Sequence, residues 1–326
     1  MAENIEQVIF QKKEKIEQLK REIHKVIIGQ HEMIDRLLIG LFTNGHILLE
    51  GVPGLAKTLT ISTLAAALDL KFQRIQFTPD LLPSDLIGTL IYNQRDQVFE
   101  VRKGPIFTNI VLADEINRSP AKVQSALLEA MQEKQVTIAN TTYKLPSPFL
   151  VLATQNPLEQ EGTYPLPEAQ TDRFMMKIFV NYPSKEEELA IMRLMAHPEV
   201  EIKVQPVFSV EQIKEIRKLI DKVNCNSRLE NYIIEIVTAT RFPAKSGLPK
   251  LASYIEYGAS PRASIALNLA SKAYALMQGR SYVLPQDIKD VAYDVLNHRI
   301  LLTYEAEAEG IHTRWCIEQI LNTLPI

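Results

Sequence analysis

The stretch His46–Leu70, HILLEGVPGLAKTLTISTLAAALDL, predicts a strand, a glycine-containing loop and a helix in direct succession. The run HILLE is apolar and short enough for a buried strand, and LTISTLAAALDL has the composition of a good helix. The loop between them has the spacing of a phosphate-binding loop and comprises Gly51, Val52, Pro53, Gly54, Leu55, Ala56, Lys57 and Thr58. Backbone N–H groups of such a loop, with the helix N-terminus behind it, hold phosphate oxygens.

Two side chains of the loop have predicted roles. Lys57 reaches the outer phosphates of a bound nucleotide, and the Thr58 hydroxyl ligates Mg²⁺, a hard cation that prefers oxygen ligands. Ala56 stands where the general pattern has glycine, and a methyl group is tolerated there if the residue has a helical φ. An ordinary turn that happens to hold glycine, proline and lysine is the alternative, and the agreement of spacing and context argues against it.

Two further apolar runs end in polar residues. IVLADE, residues 110–115, ends in two acids, which would emerge at the carboxyl end of a buried strand, where ligands bind in such sheets. We expect Asp114 to hold the Mg²⁺ shell and Glu115 to orient or deprotonate an attacking water. FLVLATQN, residues 149–156, places Asn156 where it could bind the same water or the γ-phosphate, although an Asn before Pro157 is also a common turn start.

Arg173 and Arg262 are candidate transition-state cations, because a guanidinium from a neighbouring subunit can accelerate phosphoryl transfer by several orders of magnitude. A surface ion pair is the alternative for each. Arg262 falls in the first turn of a predicted helix, where a cation opposes the helix dipole and needs a compensating anion. Gln76 is a candidate to restrain Glu115 in an inactive state, and Arg118 is a candidate to face a neighbouring nucleotide.

The remaining chain predicts an α/β fold followed by helices. Short apolar runs alternate with helical stretches, which favours a parallel sheet with crossover connections; the runs are 46–49, 75–77, 110–113, 149–153 and 178–180. Hairpins are expected at Ile87–Gly104 and Gln135–Leu145. The predicted organisation is a leading amphipathic helix in residues 1–25, an α/β nucleotide-binding domain in 26–182 and an all-helical lid in 183–326. His46 is expected to be structural, and His298 with Arg299 to serve a helix end.

Composition argues against several classes of protein. The 326 residues hold 36 Lys and Arg against 39 Asp and Glu, which argues against a protein held on nucleic acid by bulk positive charge and leaves a local basic patch open. The two cysteines cannot form a disulfide framework or a four-ligand zinc site, which favours a reducing compartment. No apolar stretch predicts a membrane span or a signal peptide, so we expect a cytoplasmic protein.

Four segments together resemble an AAA+ ATPase, and more narrowly the MoxR family, which shares a clade with magnesium chelatase motor subunits. They are GVPGLAKT at 51–58, LADEINRSP at 112–120, ATQNPLEQEGTYPLPEAQTDRF at 153–174 and YGASPRAS at 257–264. The resemblance covers about residues 22–310, and alanine at position 56 is shared with many MoxR sequences. It implies a P-loop nucleotide domain with a helical lid, in which the Ile87–Gly104 hairpin is the helix-2 insertion that marks the clade.

The resemblance also implies roles. Asn156 would be sensor 1, Arg173 the arginine finger and Arg262 sensor 2, with adenine near residues 26–30. Family members are thought to be chaperone-like ring ATPases that use ATP and Mg²⁺, often with a partner bearing a von Willebrand factor A domain. A finger that acts in trans requires head-to-tail packing, which closes into rings, so we expect a self-assembled ring, a hexamer, that acts on a protein client.

Three other functions remain open from the sequence. The chain could be the motor subunit of a metal-chelatase-like complex, because the two groups share most motifs. It could be a nucleic-acid motor, although a pI near 6.1 and the lack of a basic stripe weigh against this. It could also be a scaffold that binds ATP without hydrolysing it, although an intact Glu115 argues against that.

Overall fold

The computed structural model describes residues 5–157, 162–197 and 203–325. Part of the leading segment and residues 158–161 of the long motif at 153–174 therefore lie outside the described residues. In the described ranges, 14 α-helices and 11 strands follow one another, with short 3₁₀ turns at Ile116–Arg118 and Pro243–Ser246.

A five-stranded parallel sheet forms the centre of the N-terminal half. Its strands are β1 (Ile47–Glu50), β2 (Phe72–Gln76), β5 (Ile110–Asp114), β8 (Leu150–Gln155) and β9 (Met176–Phe179). The order across the sheet is β2-β5-β8-β1-β9, and all neighbouring pairs run parallel. Each of the five apolar runs in the sequence thus falls on a strand of this sheet, which confirms the predicted α/β class.

Both predicted hairpins are present, and each stands apart from the central sheet. The first pairs β3 (Gly88–Asn93) with β4 (Val98–Lys103), and the second pairs β6 (Gln135–Ile138) with β7 (Thr141–Lys144). The first hairpin exposes its apolar side chains: Leu90, Ile91, Tyr92, Val98 and Phe99 are each at least 39% exposed.

Six helices precede or separate the strands of this sheet along the chain, and a seventh follows the last strand: α1 (Ile5–Ile23), α2 (His31–Thr43), α3 (Lys57–Ala67), α4 (Pro83–Ile87), α5 (Ala121–Glu133), α6 (Glu168–Thr171) and α7 (Lys185–Met195). Ser184 caps α7 and exchanges hydrogen bonds with Glu187 in a capping box. None of the helices in the described ranges combines the length and apolar character that crossing a bilayer requires.

The C-terminal half is helical, with one short exception. Its helices are α8 (Val210–Lys222), α9 (Ser227–Arg241), α10 (Leu251–Tyr254), α11 (Pro261–Met277), α12 (Pro285–Leu296), α13 (Tyr304–Ala308) and α14 (Thr313–Thr323). The exception is an antiparallel ribbon of β10 (Ile255–Tyr257) and β11 (Leu301–Leu302). The expectation of an all-helical segment is wrong in this detail, because strands of two or three residues leave no periodic pattern in a sequence.

The sheet separates two hydrophobic cores, since successive residues of a strand face opposite sides. Along β5, Ile110 and Leu112 join the core that includes α1, α2 and the C-terminal helices, whereas Val111 and Ala113 join the core under α5. The leading helix buries its apolar face completely in the first core, through Ile9, Ile16, Leu19 and Ile23. A buried ion pair between Arg36 and Asp294, 2.5 Å apart, also ties α2 to α12.

Candidate active site

Three segments meet at the carboxyl edge of the sheet. The loop after β1 begins at Gly51, the acids Asp114 and Glu115 end β5, and Asn156 directly follows β8. Because β8 lies between β1 and β5, Asn156 is placed between the loop and the acids. Together they line a cleft of about 390 Å³, formed by Pro53, Gly54, Leu55, Ala56, Lys57, Thr58, Leu59, Arg74, Asp114, Glu115, Thr154, Gln155 and Asn156.

The backbone of the loop takes two left-handed turns. Gly54 has φ +88° and Ala56 has φ +55° with ψ +20°. A Cβ built on Gly54 would meet nothing within 4 Å, so the loop needs glycine there for its backbone conformation rather than for space. Left-handed residues of this kind turn backbone N–H groups toward one side and create an anion-binding concavity.

The backbone conformation of Ala56 differs from the one expected. The sequence predicts a helical φ at this alanine, and the structure has a left-handed φ instead. An L-residue in that region carries strain of about 1–2 kcal/mol, which glycine avoids. The general preference for glycine before the lysine therefore has a conformational reason, and this chain accepts the strain.

Lys57 is the first residue of α3 and points back across the loop. Its Nζ donates to the Gly51 carbonyl over 2.5 Å. Burial lowers the pKa of Lys57, and the nearby carboxylates of Asp114, Glu115 and Glu50 oppose that shift. The lysine is thus a partly desolvated cation beside two acids, and the next residue, Thr58, lines the same cleft.

Asp114 is held from both sides. Its Oδ1 accepts from the Thr154 hydroxyl at 2.6 Å, and its Oδ2 accepts from Arg74 Nε at 2.9 Å and Nη2 at 2.6 Å. Sequence reasoning missed both partners. Arg74 could have been found from Gln76, because residues two apart on a strand share a face and β2 lies beside β5.

Glu115 has a left-handed backbone, with φ +56°, and its N–H donates to the Thr154 hydroxyl at 2.8 Å. Its Oε2 accepts from Gln76 Nε2 at 2.7 Å and from Arg118 Nη1 at 3.1 Å. The contact that would let Gln76 restrain Glu115 is therefore present. Arg118, considered above for a neighbouring nucleotide, contacts the acid of its own cleft.

The two candidate cations lie outside this cleft. Arg173 is exposed beside α5, where its Nη1 is 3.5 Å from the Leu128 carbonyl. Arg262 lies in the first turn of α11 and pairs with Asp172, Nη1 to Oδ2, at 3.2 Å. Asp172 is the compensating anion that the helix position of Arg262 requires. The structure brings the loop, the acids and Asn156 together. Neither arginine is among the residues that line this cleft, and Arg262 is paired with the residue that precedes Arg173.

A second cleft, of about 580 Å³, lies near the segment for which the family resemblance implies adenine. Gln30 lines it with Asn181, Tyr182 and Pro183, and the Gln30 side chain donates to the Asn181 carbonyl at 3.3 Å. Val26 and Ile27 are buried in the core instead. Val180, which directly follows β9, lies against the start of the phosphate loop, since a Cβ built on Gly51 would be 2.7 Å from the Val180 carbonyl oxygen.

Comparison with known proteins gives two family matches. Residues 46–176 match the model of the ATPase family associated with various cellular activities (AAA), and residues 251–320 match the AAA lid domain. The first match contains the loop, the acids, Asn156 and Arg173, and the second contains Arg262.

Three relatives cover nearly the whole chain. Chaperone MoxR1 of Mycobacterium tuberculosis is 48% identical over 94% of this chain and 80% of its own length. The uncharacterized protein YeaC of Bacillus subtilis is 45% identical over 93% and 92% of the two chains. A crystal structure from Cytophaga hutchinsonii, of a protein provisionally described as an ATPase, is 63% identical and superposes with a TM-score of 0.94 over 100% of this chain and 98% of that one.

Proposed function

The chain belongs to the MoxR family of AAA+ ATPases, and from that premise we propose that it hydrolyses ATP with Mg²⁺ as a ring of subunits that remodels protein clients. We divide the chain into a leading segment of residues 1–25 that contains α1, a nucleotide-binding domain of residues 26–182 and a lid of residues 183–326. The observation that carries the proposal is the convergence of the phosphate loop, Asp114, Glu115 and Asn156 in one cleft, while Arg173 and Arg262 lie elsewhere.

The cleft fits a nucleotide and its metal. Backbone N–H groups of residues 51–58 and the N-terminus of α3 would receive the phosphates, with Lys57 as their charged partner. Among the described residues, no group of three or more His, Cys, Asp or Glu could hold a metal alone. Mg²⁺ is ordinarily bound by one or two protein oxygens together with phosphate oxygens and water, which Thr58 and Asp114 suit. When bound, the ion would neutralise charge on the transferred phosphoryl group.

Glu115 and Asn156 are the groups placed to act on the attacking water. Glu115 would orient the water and accept its proton once its carboxylate is released from Gln76 and Arg118. Asn156 comes from the neighbouring strand β8 and would bind the same water or the γ-phosphate. Both positions depend on the strand order, which sets the ends of β5 and β8 side by side.

The position of the two arginines supports a composite site. Neither Arg173 nor Arg262 lines the cleft of its own chain, whereas a transition-state cation must approach the γ-phosphate. A second subunit packed head to tail would bring them to the nucleotide of its neighbour. Such a heterologous contact closes into a ring if the rotation between subunits permits it. We therefore place Arg173 as the finger and Arg262 as its companion, both acting in trans in a hexamer.

Further parts of the proposal come from the family. We place the protein in the cytoplasm, with a protein client and a partner that bears a von Willebrand factor A domain. The first hairpin offers exposed Tyr92 and Phe99, whose rings lie 5.2 Å apart, as a surface where a client could make contact. One relative is named a chaperone, which agrees with this assignment.

The test is ATP turnover per subunit as a function of protein concentration. The wild type is compared with Lys57→Ala, Glu115→Gln and Arg173→Ala, and with Arg21→Ala as an exposed arginine on α1. We expect specific activity to rise with concentration and the first three variants to keep only a small residual turnover. A mixture of Arg173→Ala and Glu115→Gln should recover activity, because some interfaces then combine an intact finger with an intact acid.

Turnover that does not change with dilution would overturn the composite site. Turnover that survives Glu115→Gln would overturn the mechanism. ATP binding without hydrolysis at every concentration, also after candidate partners are added, would leave a nucleotide-binding scaffold in place of an ATPase.

A further inference from the structure

Three groups of the C-terminal helical segment converge on Asp172, the residue before Arg173. The Ser260 hydroxyl donates to Oδ2 of Asp172 at 2.8 Å, and Arg262 Nη1 donates to the same oxygen at 3.2 Å. Arg299 Nε donates to the other oxygen, Oδ1, at 2.8 Å. One carboxylate thus joins the finger segment to both α11 and the end of α12.

Arg299 is a permanent partner. Its side chain is only 2% exposed, and besides the carboxylate it contacts backbone carbonyls on both sides of Arg173. The distances are 3.1 Å to Asp172, 2.6 Å to Phe174 and 3.0 Å to Met175, and it also contacts Val295. Val295 belongs to the last turn of α12, so Arg299 contacts the helix end as predicted, whereas His298 lies 3.1 Å from the Phe174 carbonyl. The hydrogen bonds from Arg299 to residues 172–175 give it an additional role.

Arg262 is a replaceable partner. Its side chain is 49% exposed, and within the described residues its guanidinium makes one hydrogen bond, the contact to Asp172. An exposed ion pair with a single hydrogen bond is weak, and most of the guanidinium fork stays unused. A phosphate group can accept two parallel N–H bonds from such a fork and would therefore compete well with this carboxylate oxygen.

We propose that Asp172 is an internal counter-ion that Arg262 exchanges for the γ-phosphate of a neighbouring subunit, and that Arg299 is the positioning residue that holds Asp172 and Arg173 during the exchange. This rests on the proposed function, because it takes both arginines to act on a neighbour's nucleotide. Asp172 keeps Ser260 and Arg299 when Arg262 departs, so its charge stays paired. Asp172 thereby weakens nucleotide binding in the assembled protein and keeps Arg262 oriented before binding.

The counter-ion is tested by equilibrium binding of AMP-PNP with a fluorophore on its ribose, in the presence of Mg²⁺. Asp172→Asn is nearly isosteric and removes the charge. Its side-chain oxygen can still accept from Arg299 Nε, while its amide N–H can donate to the Ser260 hydroxyl oxygen. At protein concentrations that support assembly, we expect this variant to bind the analogue about two- to fivefold more tightly, the range for loss of an exposed ion pair. At dilutions where turnover per subunit is lost, the two proteins should bind equally.

A double-mutant cycle separates this role from a merely structural one. In the Arg262→Ala background, Asp172→Asn should no longer change the affinity, because the residue that the counter-ion restrains is absent. Unchanged or weaker binding by Asp172→Asn in assembled protein overturns the proposal, and so does a tightening that persists without Arg262. If wild-type binding and turnover are the same at all concentrations, the proposed function fails as well. If turnover depends on protein concentration but Asp172→Asn does not change the affinity, the counter-ion proposal fails and the proposed function stands.

Arg299 is tested through kcat. Arg299→Lys keeps the charge and loses the fork that contacts residues 172–175, so we expect kcat to fall at least tenfold because Arg173 is misplaced. Affinity for the labelled analogue should change less than twofold. In the Arg173→Ala background, Arg299→Lys should lower kcat no further. An additional loss in that background, or a normal kcat in a variant that folds, contradicts the positioning role. If Arg299→Lys does not fold, Asp172→Ala takes its place under the two kcat criteria alone, because loss of the Asp172 carboxylate also changes the affinity.

Discussion

Gln76 donates a hydrogen bond of 2.7 Å from its side-chain amide to Oε2 of Glu115. The two residues come from neighbouring parallel strands, and Gln76 stands opposite Asp114 in the register. Arg118 donates to the same oxygen at 3.1 Å, so two donors fix the orientation of this carboxylate. The geometry thus describes a restrained acid, and we expect loss of the bond from Gln76 to make Glu115 more available to the attacking water.

We expect Gln76→Ala to raise basal ATP turnover about two- to tenfold, since the loss of one hydrogen bond to a charged group corresponds to roughly 1 kcal/mol or more. Gln73→Ala is the matched control, because Gln73 is exposed on the same strand and contacts the backbone rather than an acid. The measurement is steady-state phosphate release at saturating ATP and Mg²⁺. Turnover as low as that of Glu115→Gln would show that Gln76 positions the acid instead of restraining it.

Arg74 and the metal should compete for Asp114. The Arg74 guanidinium makes two bonds to Oδ2, an oxygen of the carboxylate proposed to hold the Mg²⁺ shell, and the Arg74 side chain is 51% exposed. Since an exposed ion pair contributes about 0.2–1 kcal/mol, we expect Arg74→Ala to lower the Mg²⁺ concentration for half-maximal turnover by a factor of up to about five. Arg95→Ala, at the tip of the first hairpin, serves as the control. A higher Mg²⁺ requirement in Arg74→Ala would instead assign Arg74 a supporting role at the metal.

The left-handed residues of the phosphate loop give a prediction about backbone conformation. Gly54→Ala should lower stability by about 1–2 kcal/mol and weaken nucleotide binding, because a Cβ at φ +88° is strained although the space around it is open. Gly310→Ala is the matched control: Gly310 has φ +71°, equally open surroundings and a place far from the loop in the sequence. It should show a similar loss of stability with unchanged nucleotide affinity.

Ala56→Gly is the reverse substitution, because it removes a Cβ from a left-handed residue instead of adding one. Relief of the left-handed strain is offset by the larger entropy of glycine in the unfolded chain, so the free energy of unfolding should change by less than about 1 kcal/mol. Nucleotide affinity should be preserved. Thermal unfolding with and without AMP-PNP measures both quantities for all three variants. A strong loss of affinity in Ala56→Gly would mean that the methyl group itself contributes to the site.

The sequence predicts much of this site because its parts are local. A buried apolar run that ends in a polar residue predicts a strand and places that polar residue at the carboxyl edge of the sheet. This is why Asp114, Glu115 and Asn156 could be assigned to one cleft. The partners of these residues are not local. Arg74 meets Asp114 only because β2 lies beside β5, and nothing within either segment states that order.

The helical half shows the same limit. Asp172 meets Arg262 and Arg299 across 90 and 127 residues of chain. The helix position of Arg262 shows that an anion is needed, and it does not show whether a ligand or a side chain provides it. The short ribbon of β10 and β11 is likewise set by packing rather than by pattern.

His46 provides a prediction about pH. Its Nδ1 accepts from the Val151 N–H at 2.9 Å, its Nε2 lies 3.1 Å from the Met131 carbonyl, and its ring packs edge-on against Phe149. The residue is structural, as expected from its place at the start of β1. Burial lowers the pKa of His46 from 6.5 to about 4, with the hydrogen bond to Met131 opposing the shift. Between these two values the unfolded chain binds a proton that the folded protein does not.

The contribution of neutral His46 to the free energy of unfolding is therefore fully present above about pH 6.5. It decreases as the pH falls toward 4, by up to about 3 kcal/mol. Burial also lowers the pKa of His298, which contributes with the same sign. We expect His46→Gln to be less stable than the wild type at pH 7 and to lose less stability on acidification, because glutamine offers a donor and an acceptor that do not titrate. Urea unfolding at pH 7, 6 and 5 measures the difference. Parallel pH profiles for the two proteins would mean that His46 is already protonated in the folded state or that the acid sensitivity arises from other groups.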